Sequence, residues 1–328
     1  MSAAKSQTGS GVRAARLVVL GDPISHSLSP ALHAALAESS GREVDYRALR
    51  VRPAELGGAI SGLRSAGFQG VNLTLPHKRA VMEHVGRLEG DAIAAGAVNT
   101  LVLSQDSEEG WIGHNTDVEG LRRALPENMG DAHVLVVGAG GAARGAVLAL
   151  ARWGAARISV AARRESAAAE LVGDLAPVVP SRLDAQRLAG DLYQRLGATH
   201  ETGTSSEGPG VPALLVDATS CGVGAQLDQS PWPKGLRFPP WVVDLVYGAR
   251  PTPLLAAAAE QGCRVRDGLG MLVWQGALAF DLWFGAETAR DAVVSPIETR
   301  LREMIEGECS RDLVAPAEYL AGGLENEA

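Results

Sequence analysis

Val134-Leu135-Val136-Val137-Gly138-Ala139-Gly140-Gly141-Ala142-Ala143-Arg144 is the stretch whose reading decides the fold. Four aliphatic residues make a buried strand, glycines turn the chain, and an alanine-rich segment opens a helix at Gly141. The spacing satisfies G-x-G-x-x-G/A in its strand–turn–helix setting, the arrangement that cradles a dinucleotide pyrophosphate. Gly138 makes the turn, Gly140 admits the phosphates close to the backbone, and Ala143 permits tight helix–strand packing. The N–H groups at the helix start have no intrahelical partners and suit an anion.

Outward from this loop, short apolar runs alternate with helical patterns, the mark of an α/β protein with a mostly parallel sheet. Residues 133–137, 157–161, 214–217 and 241–245 read as strands of a unit that begins near Asp131, with a helix over 141–153. Upstream, 17–20, 44–51 and 70–75 read as strands, with a helix over 53–66. Ser29-Pro30 opens another helix, serine as its cap and proline in its first turn. Residues 98–103 and 110–114 form a hairpin, which places one antiparallel strand in an otherwise parallel sheet. Residues 198–212 are a loop by composition.

At 328 residues the chain suits two domains, and 46% hydrophobic with 21% charged residues fits a globular protein. A net charge of −8 excludes a nucleic-acid footprint. Cys221, Cys263 and Cys309 are too scattered for a disulfide framework or a metal knuckle, so reduced thiols, no metal and a cytoplasmic location are expected. The first fifteen residues lack the apolar core of a signal peptide and read as a disordered leader, and no stretch reads as a membrane span.

The strand after the helix chooses the nucleotide. It ends Val160-Ala161-Ala162-Arg163-Arg164, and two guanidiniums suit the 2′-phosphate of NADP. Glu165 follows and keeps NAD open as a secondary cofactor, although an acid there also fits a helix's first turn. Outside this unit, four segments place polar groups where strands should stop: Ser27-Leu28-Ser29, Asn72-Leu73-Thr74-Leu75-Pro76-His77-Lys78, Ala97-Val98-Asn99 and Asn115-Thr116-Asp117. Ligands of open α/β sheets bind beyond strand carboxyl ends, so these segments can converge on one crevice. Hydroxyls, amides, a lysine and an aspartate suit a small polyhydroxylated acid. Lys78 is placed to donate a proton to a reducible carbonyl.

These segments, with Ala218-Thr219-Ser220, Asp244-Leu245-Val246-Tyr247 and Asp267-Gly268 through Gln275, resemble the shikimate dehydrogenase family from about residue 17 to 305. The resemblance implies NADPH-dependent reduction of 3-dehydroshikimate to shikimate in aromatic amino-acid biosynthesis. It implies a substrate domain over 16–118 completed by helices over 270–305, a Rossmann-like NADP domain over 119–269, and a tail from 306 to 328. Ser27, Ser29 and Tyr247 would hold the substrate carboxylate, and Thr74, Asn99, Asp117 and Gln275 its ring hydroxyls. Lys78 with Asp117 would be catalytic. Gly138, Ala139, Gly140, Gly141, Ala142, Arg163, Arg164, Leu245 and Gly268 would line the dinucleotide, with Thr219 and Ser220 close by. The family commonly carries a further arginine where Ala167 stands. The residues leave open a quinate, aminoshikimate or NAD-using dehydrogenase, and a catalytically idle ligand binder. Monomer and homodimer both fit. Tyr247 and Gln275 also fit structural roles, Tyr247 with its hydroxyl on backbone.

Overall fold

The aliphatic runs pair into two sheets, each of six strands among the described residues. The structure is a computed structural model that describes residues 14–106, 109–127, 131–190, 192 and 212–312. The first sheet has the order β2-β1-β3-β5-β6-β4. Its strands are β1 (Ala15–Gly21), β2 (Val44–Arg50), β3 (Gly70–Leu73), β4 (Arg87–Leu88), β5 (Thr100–Leu103) and β6 (Trp111–His114). Parallel pairs join β1 to β2 and to β3, while β5 runs against both β3 and β6. The hairpin register sets Thr100 opposite His114 and Leu103 opposite Trp111. The single reversed strand is the one its sequence led us to expect. Leu17, Val18 and Leu20 of β1 are fully buried, as a central strand covered on both faces requires.

The second sheet is wholly parallel and ordered β12-β11-β10-β7-β8-β9. It comprises β7 (His133–Val137), β8 (Arg157–Ala162), β9 (Arg182–Arg187), β10 (Leu214–Asp217), β11 (Trp241–Asp244) and β12 (Arg264–Arg266). The order runs away from β7 in both directions. The switch point therefore lies beside the glycine turn, where a doubly wound sheet opens a crevice.

Helices cover the sheets: α1 (Ser29–Ser40), α2 (Leu56–Ser65), α3 (His77–Ala80), α4 (Asp91–Ala95), α5 (Asp117–Ala124), α6 (Gly141–Trp153) and α7 (Glu165–Leu175), then α8 (Pro253–Glu260), α9 (Leu269–Phe284) and α10 (Asp291–Asp312). The apolar α9 returns to the first sheet. Its Trp283 indole donates to Leu101 O at 2.9 Å and lies over Gly70, where a Cβ would collide with the ring.

Several details differ from the reading of the sequence. Ser29 does not cap α1 with its side chain; it is the first helical residue, and its N–H is met by the Ser27 hydroxyl at 3.3 Å. Residues 53–55 form a separate 3-10 turn ahead of α2. Ala15 already belongs to β1, and α10 runs on to Asp312. The rest of the expected leader (1–13), the loop over 198–211 and the tail beyond 312 lie outside the described residues.

Candidate active site

Four chain segments meet at Lys78. The lysine is the second residue of α3, a turn anchored by its neighbour: His77 is fully buried and its Nε2 donates to Val51 O at 2.8 Å. This gives His77 a structural task and leaves the lysine side chain to project into the crevice, 16% exposed. Lys78 Nζ lies 2.7 Å from Asp117 Oδ2. Asp117 opens α5, its N–H received by Asn115 Oδ1 at 3.0 Å, and its side chain is only 5% exposed.

Its second oxygen, Oδ1, accepts from Asn99 Nδ2 at 2.9 Å. The Asn99 amide can point only one way, because its own Oδ1 accepts from Thr116 N at 2.8 Å. The same Nδ2 reaches Thr116 Oγ1 at 2.9 Å and Gln275 Oε1 at 3.3 Å, and Gln275 Nε2 donates to Leu272 O at 2.8 Å. A buried charge pair of this kind is tolerated when both carboxylate oxygens have donors, as here.

Ser27, Ser29 and Thr74 follow strands of the first sheet, and Tyr247 comes from the loop after β11 of the second. Tyr247 brings its hydroxyl to the Leu28 backbone, between Ser27 and Ser29, and burial raises its phenol while that backbone hydrogen bond opposes the rise. The backbone-tied tyrosine and the tyrosine beside the serine pair are thus one and the same arrangement. Thr74 packs on the Gly21 turn, which has no room for a Cβ beside its methyl group.

Reading the sequence missed the layer beneath. Tyr46 donates to Asn72 Oδ1 at 2.7 Å, and Asn72 Nδ2 reaches Asn99 O at 3.2 Å and Thr100 Oγ1 at 3.1 Å. Thr100 Oγ1 donates to Asn99 Oδ1 at 3.0 Å. Tyr46 also lies against the Ser29 hydroxyl, so one buried chain of hydrogen bonds joins the serine pair to the Lys78–Asp117 pair. Asn72 and Thr116 stood inside polar strand ends and could have been found there. Tyr46, on a half-exposed edge strand, carried no signal.

The dinucleotide loop adjoins this cluster. A Cβ on Gly141 would lie 3.0 Å from Lys78 Cβ, and one on Gly138 (φ 117°) would lie 2.9 Å from Ala218 O. Gly140 precedes α6 with open space around its missing Cβ, and no side chain caps the helix. Those are the features a pyrophosphate cradle needs, so the residues fit a dinucleotide. Ala139 and Ala142 complete the turn, half-buried. Arg163 and Arg164 follow β8 on one side of the loop, exposed and without side-chain partners among the described residues. Thr219, Leu245 and Gly268 lie on the other side, beyond β10, β11 and β12, and a Cβ on Gly268 would collide with Leu245 O. Glu165 sits in the first turn of α7, as expected of an acid there. Among the described residues no His, Cys, Asp or Glu group is arranged to hold a metal.

Known proteins match this chain along most of its length. The family description "Shikimate dehydrogenase substrate binding domain" fits residues 19–101, and "Shikimate 5'-dehydrogenase C-terminal domain" fits residues 268–294. The shikimate dehydrogenase (NADP(+)) of Moorella thermoacetica is 38% identical over 291 residues, 88% of this chain and 92% of the relative. That of Methanopyrus kandleri is 38% identical over 290 residues, covering 87% and 95%. Among solved structures, shikimate 5-dehydrogenase from Thermus thermophilus in complex with NADP(H) and shikimate superposes with a TM-score of 0.68 at 34% identity, covering 87% of this chain and 99% of that one. The 5-ketofructose reductase of Gluconobacter superposes at 0.69 with 28% identity, covering 89% and 100%. Identity sustained across both sheets, together with a matching architecture, shows that the chain belongs to the shikimate dehydrogenase family.

Proposed function

We propose that this chain is an NADP-dependent shikimate dehydrogenase that reversibly reduces 3-dehydroshikimate to shikimate in aromatic amino-acid biosynthesis. The observation that carries the reading is the Lys78–Asp117 contact of 2.7 Å set against the first residue of the dinucleotide helix. Residues 16–118 with the helices over 270–305 act as the substrate domain, and residues 119–269 hold the dinucleotide. Gly138, Ala139, Gly140, Gly141 and Ala142 cradle the pyrophosphate, Arg163 and Arg164 the 2′-phosphate, and Thr219, Leu245 and Gly268 the other end. NADPH, when bound, supplies the hydride.

Ser27, Ser29 and Tyr247 hold the substrate carboxylate, while Thr74, Asn99, Asp117 and Gln275 take the ring hydroxyls. An ammonium has three donors, and Asp117 occupies one of those on Lys78, which leaves others for the carbonyl oxygen. Charge developing on that oxygen is met by Lys78, which then gives it a proton. In the reverse direction Lys78 takes the proton back. Asp117, fixed by Asn99, keeps the ammonium in place. The free thiols at Cys221 and Cys263 support a cytoplasmic setting.

Initial rates, followed through nicotinamide absorbance, test the reading with shikimate and quinate, each with NADP⁺ and NAD⁺. Shikimate with NADP⁺ should give the highest kcat/KM. Arg163→Ala and Arg164→Ala should each raise the KM for NADP⁺ by about tenfold and leave that for NAD⁺ nearly unchanged, since a charge-assisted hydrogen bond is worth about 1.5–3 kcal/mol. No turnover of shikimate with either nucleotide would overturn the proposal. A neutral ketose lacks the carboxylate that the serine pair is placed to bind, which favours shikimate over the substrate named for the Gluconobacter relative.

A further inference from the structure

Strands β10 and β11 end side by side on Asp217 and Asp244, and the chain just past β12 carries Asp267. Asp217 and Asp244 are register partners in the parallel pair, 0% and 1% exposed. Asp267 has a cation of its own, a two-point ion pair with Arg302. The other two have none among the described residues. Each is instead met by the loop that follows it. Asp217 accepts from Thr219 N at 2.9 Å and Thr219 Oγ1 at 3.2 Å. Asp244 accepts from Val246 N at 2.9 Å and, across the loop that bears Tyr247, from Thr252 Oγ1 at 2.6 Å.

The two loops also touch. A Cβ on Gly222 would lie 2.9 Å from the Thr252 methyl group, and Leu245 N donates to Asp217 O at 3.0 Å. The loop ends pinned in this way carry Thr219 and Leu245 on the dinucleotide side and Tyr247 on the substrate side. Other titratable groups on the surrounding elements are Asp267 with Arg302, Arg264 and Arg266 on β12, Tyr247 and Arg250 on one loop, Cys221, Asp228, Lys234 and Arg237 on the other, and Glu260 on α8. On the remaining side β7 offers only Val137 in register with Asp217. Burial raises both carboxyls, and the neighbouring Asp244 raises Asp217 further; the hydrogen bonds from Thr219, Thr252 and Val246 oppose the rise without cancelling it, and Asp267 adds a smaller rise at Asp244. Two adjacent buried carboxylates without a cation do not both ionise readily.

We infer that Asp217 and Asp244 act together as a positioning unit for the proposed reaction: one proton retained by the pair at neutral pH keeps both loops in place, and its loss drives them apart. The inference rests on the proposed function, because only then do these loops face dinucleotide and substrate. The loosening acts on how ligands are held and not on the reacting oxygen, so it appears in KM while kcat follows Lys78.

Infrared difference spectra of the full chain in heavy water, wild type against Asp217→Asn and against Asp244→Asn, test the proton directly. A protonated-carboxyl band should be present near neutral pH, fade as the pH rises, and be absent from both variants. A band unaltered by both substitutions would overturn the inference. Kinetics supply the second arm. Between about pH 6 and about pH 9 the wild-type KM for NADP⁺ should rise by about tenfold, the scale of one pKa unit, and the rise should flatten in Asp217→Asn. Parallel KM profiles in the two proteins would also overturn it. The infrared arm needs no turnover, so it decides the carboxyl pair even if shikimate proves not to be the substrate.

Discussion

Lys78 is held by its carbonyl as well as its ammonium: Val98 N donates to Lys78 O at 2.7 Å while Nζ meets Asp117. Its backbone and tip are therefore both fixed before any ligand arrives, and removal of the side chain should leave the surrounding shape intact. Lys78→Ala should lower kcat by about 10²–10⁴-fold, the range of general acid–base catalysis, and change KM by less than about threefold. Steady-state kinetics with shikimate check this, and a variant that keeps most of its turnover would remove Lys78 from the mechanism. Lys78 and Asp117 were legible as residues because each stands alone where an apolar run stops. The anchoring of Asp117 by Asn99 was not. It depends on Thr116 N turning the amide, a contact between segments that only the paired β5 and β6 bring together.

At the scale of elements, α9 shows how a helix that is apolar almost throughout still delivers one amide to the site. Gln275 is turned toward Asn99, while the next residue, Gly276, lets α1 approach until its missing Cβ would meet Leu32. Gly276→Ala should therefore cost stability despite the better helix propensity of alanine, by about 1–3 kcal/mol, the usual penalty for overpacking. Chemical denaturation checks this, and Leu32→Ala in the same chain should recover part of the loss. Equal stability of Gly276→Ala and wild type would mean that α1 can shift freely. The sequence also left elements unread. β9 is Arg-Leu-Asp-Ala-Gln-Arg and β12 is Arg-Val-Arg, edge strands whose solvated residues lack the apolar run that marked the interior ones. They were drawn into the sheet by pairing with neighbours, which a local pattern does not record.

For the whole molecule, two buried sites set opposing pH dependences of stability. His33, fully buried, is pushed down to about 3 by burial, and the Asn72 side chain beside it opposes the shift only in part. It stays neutral in the fold while the unfolded chain takes up a proton, so its contribution is complete above about pH 6.5 and is lost as pH falls toward 3. Asp217 and Asp244 are raised, so theirs is complete at acid pH and is lost as pH rises through the raised carboxyl range. Melting temperatures from about pH 4.5 to about pH 7 should respond in opposite senses. Relative to wild type, His33→Leu should tilt the curve toward acid stability and Asp217→Asn toward neutral stability. Matching slopes in all three proteins would refute both assignments. The division into two sheets was readable from alternating apolar runs, but the seam between them was not, since it is made of side chains from both. Gly141 marks that seam. A helix start shaped for phosphate leans on the stem of Lys78, so the nucleotide loop and the proposed proton donor behave as a single machined part. Anyone exchanging the loop to change nucleotide preference inherits a constraint unrelated to phosphate: a side chain at 141 would press on the Lys78 stem, which must then give by a few tenths of an ångström.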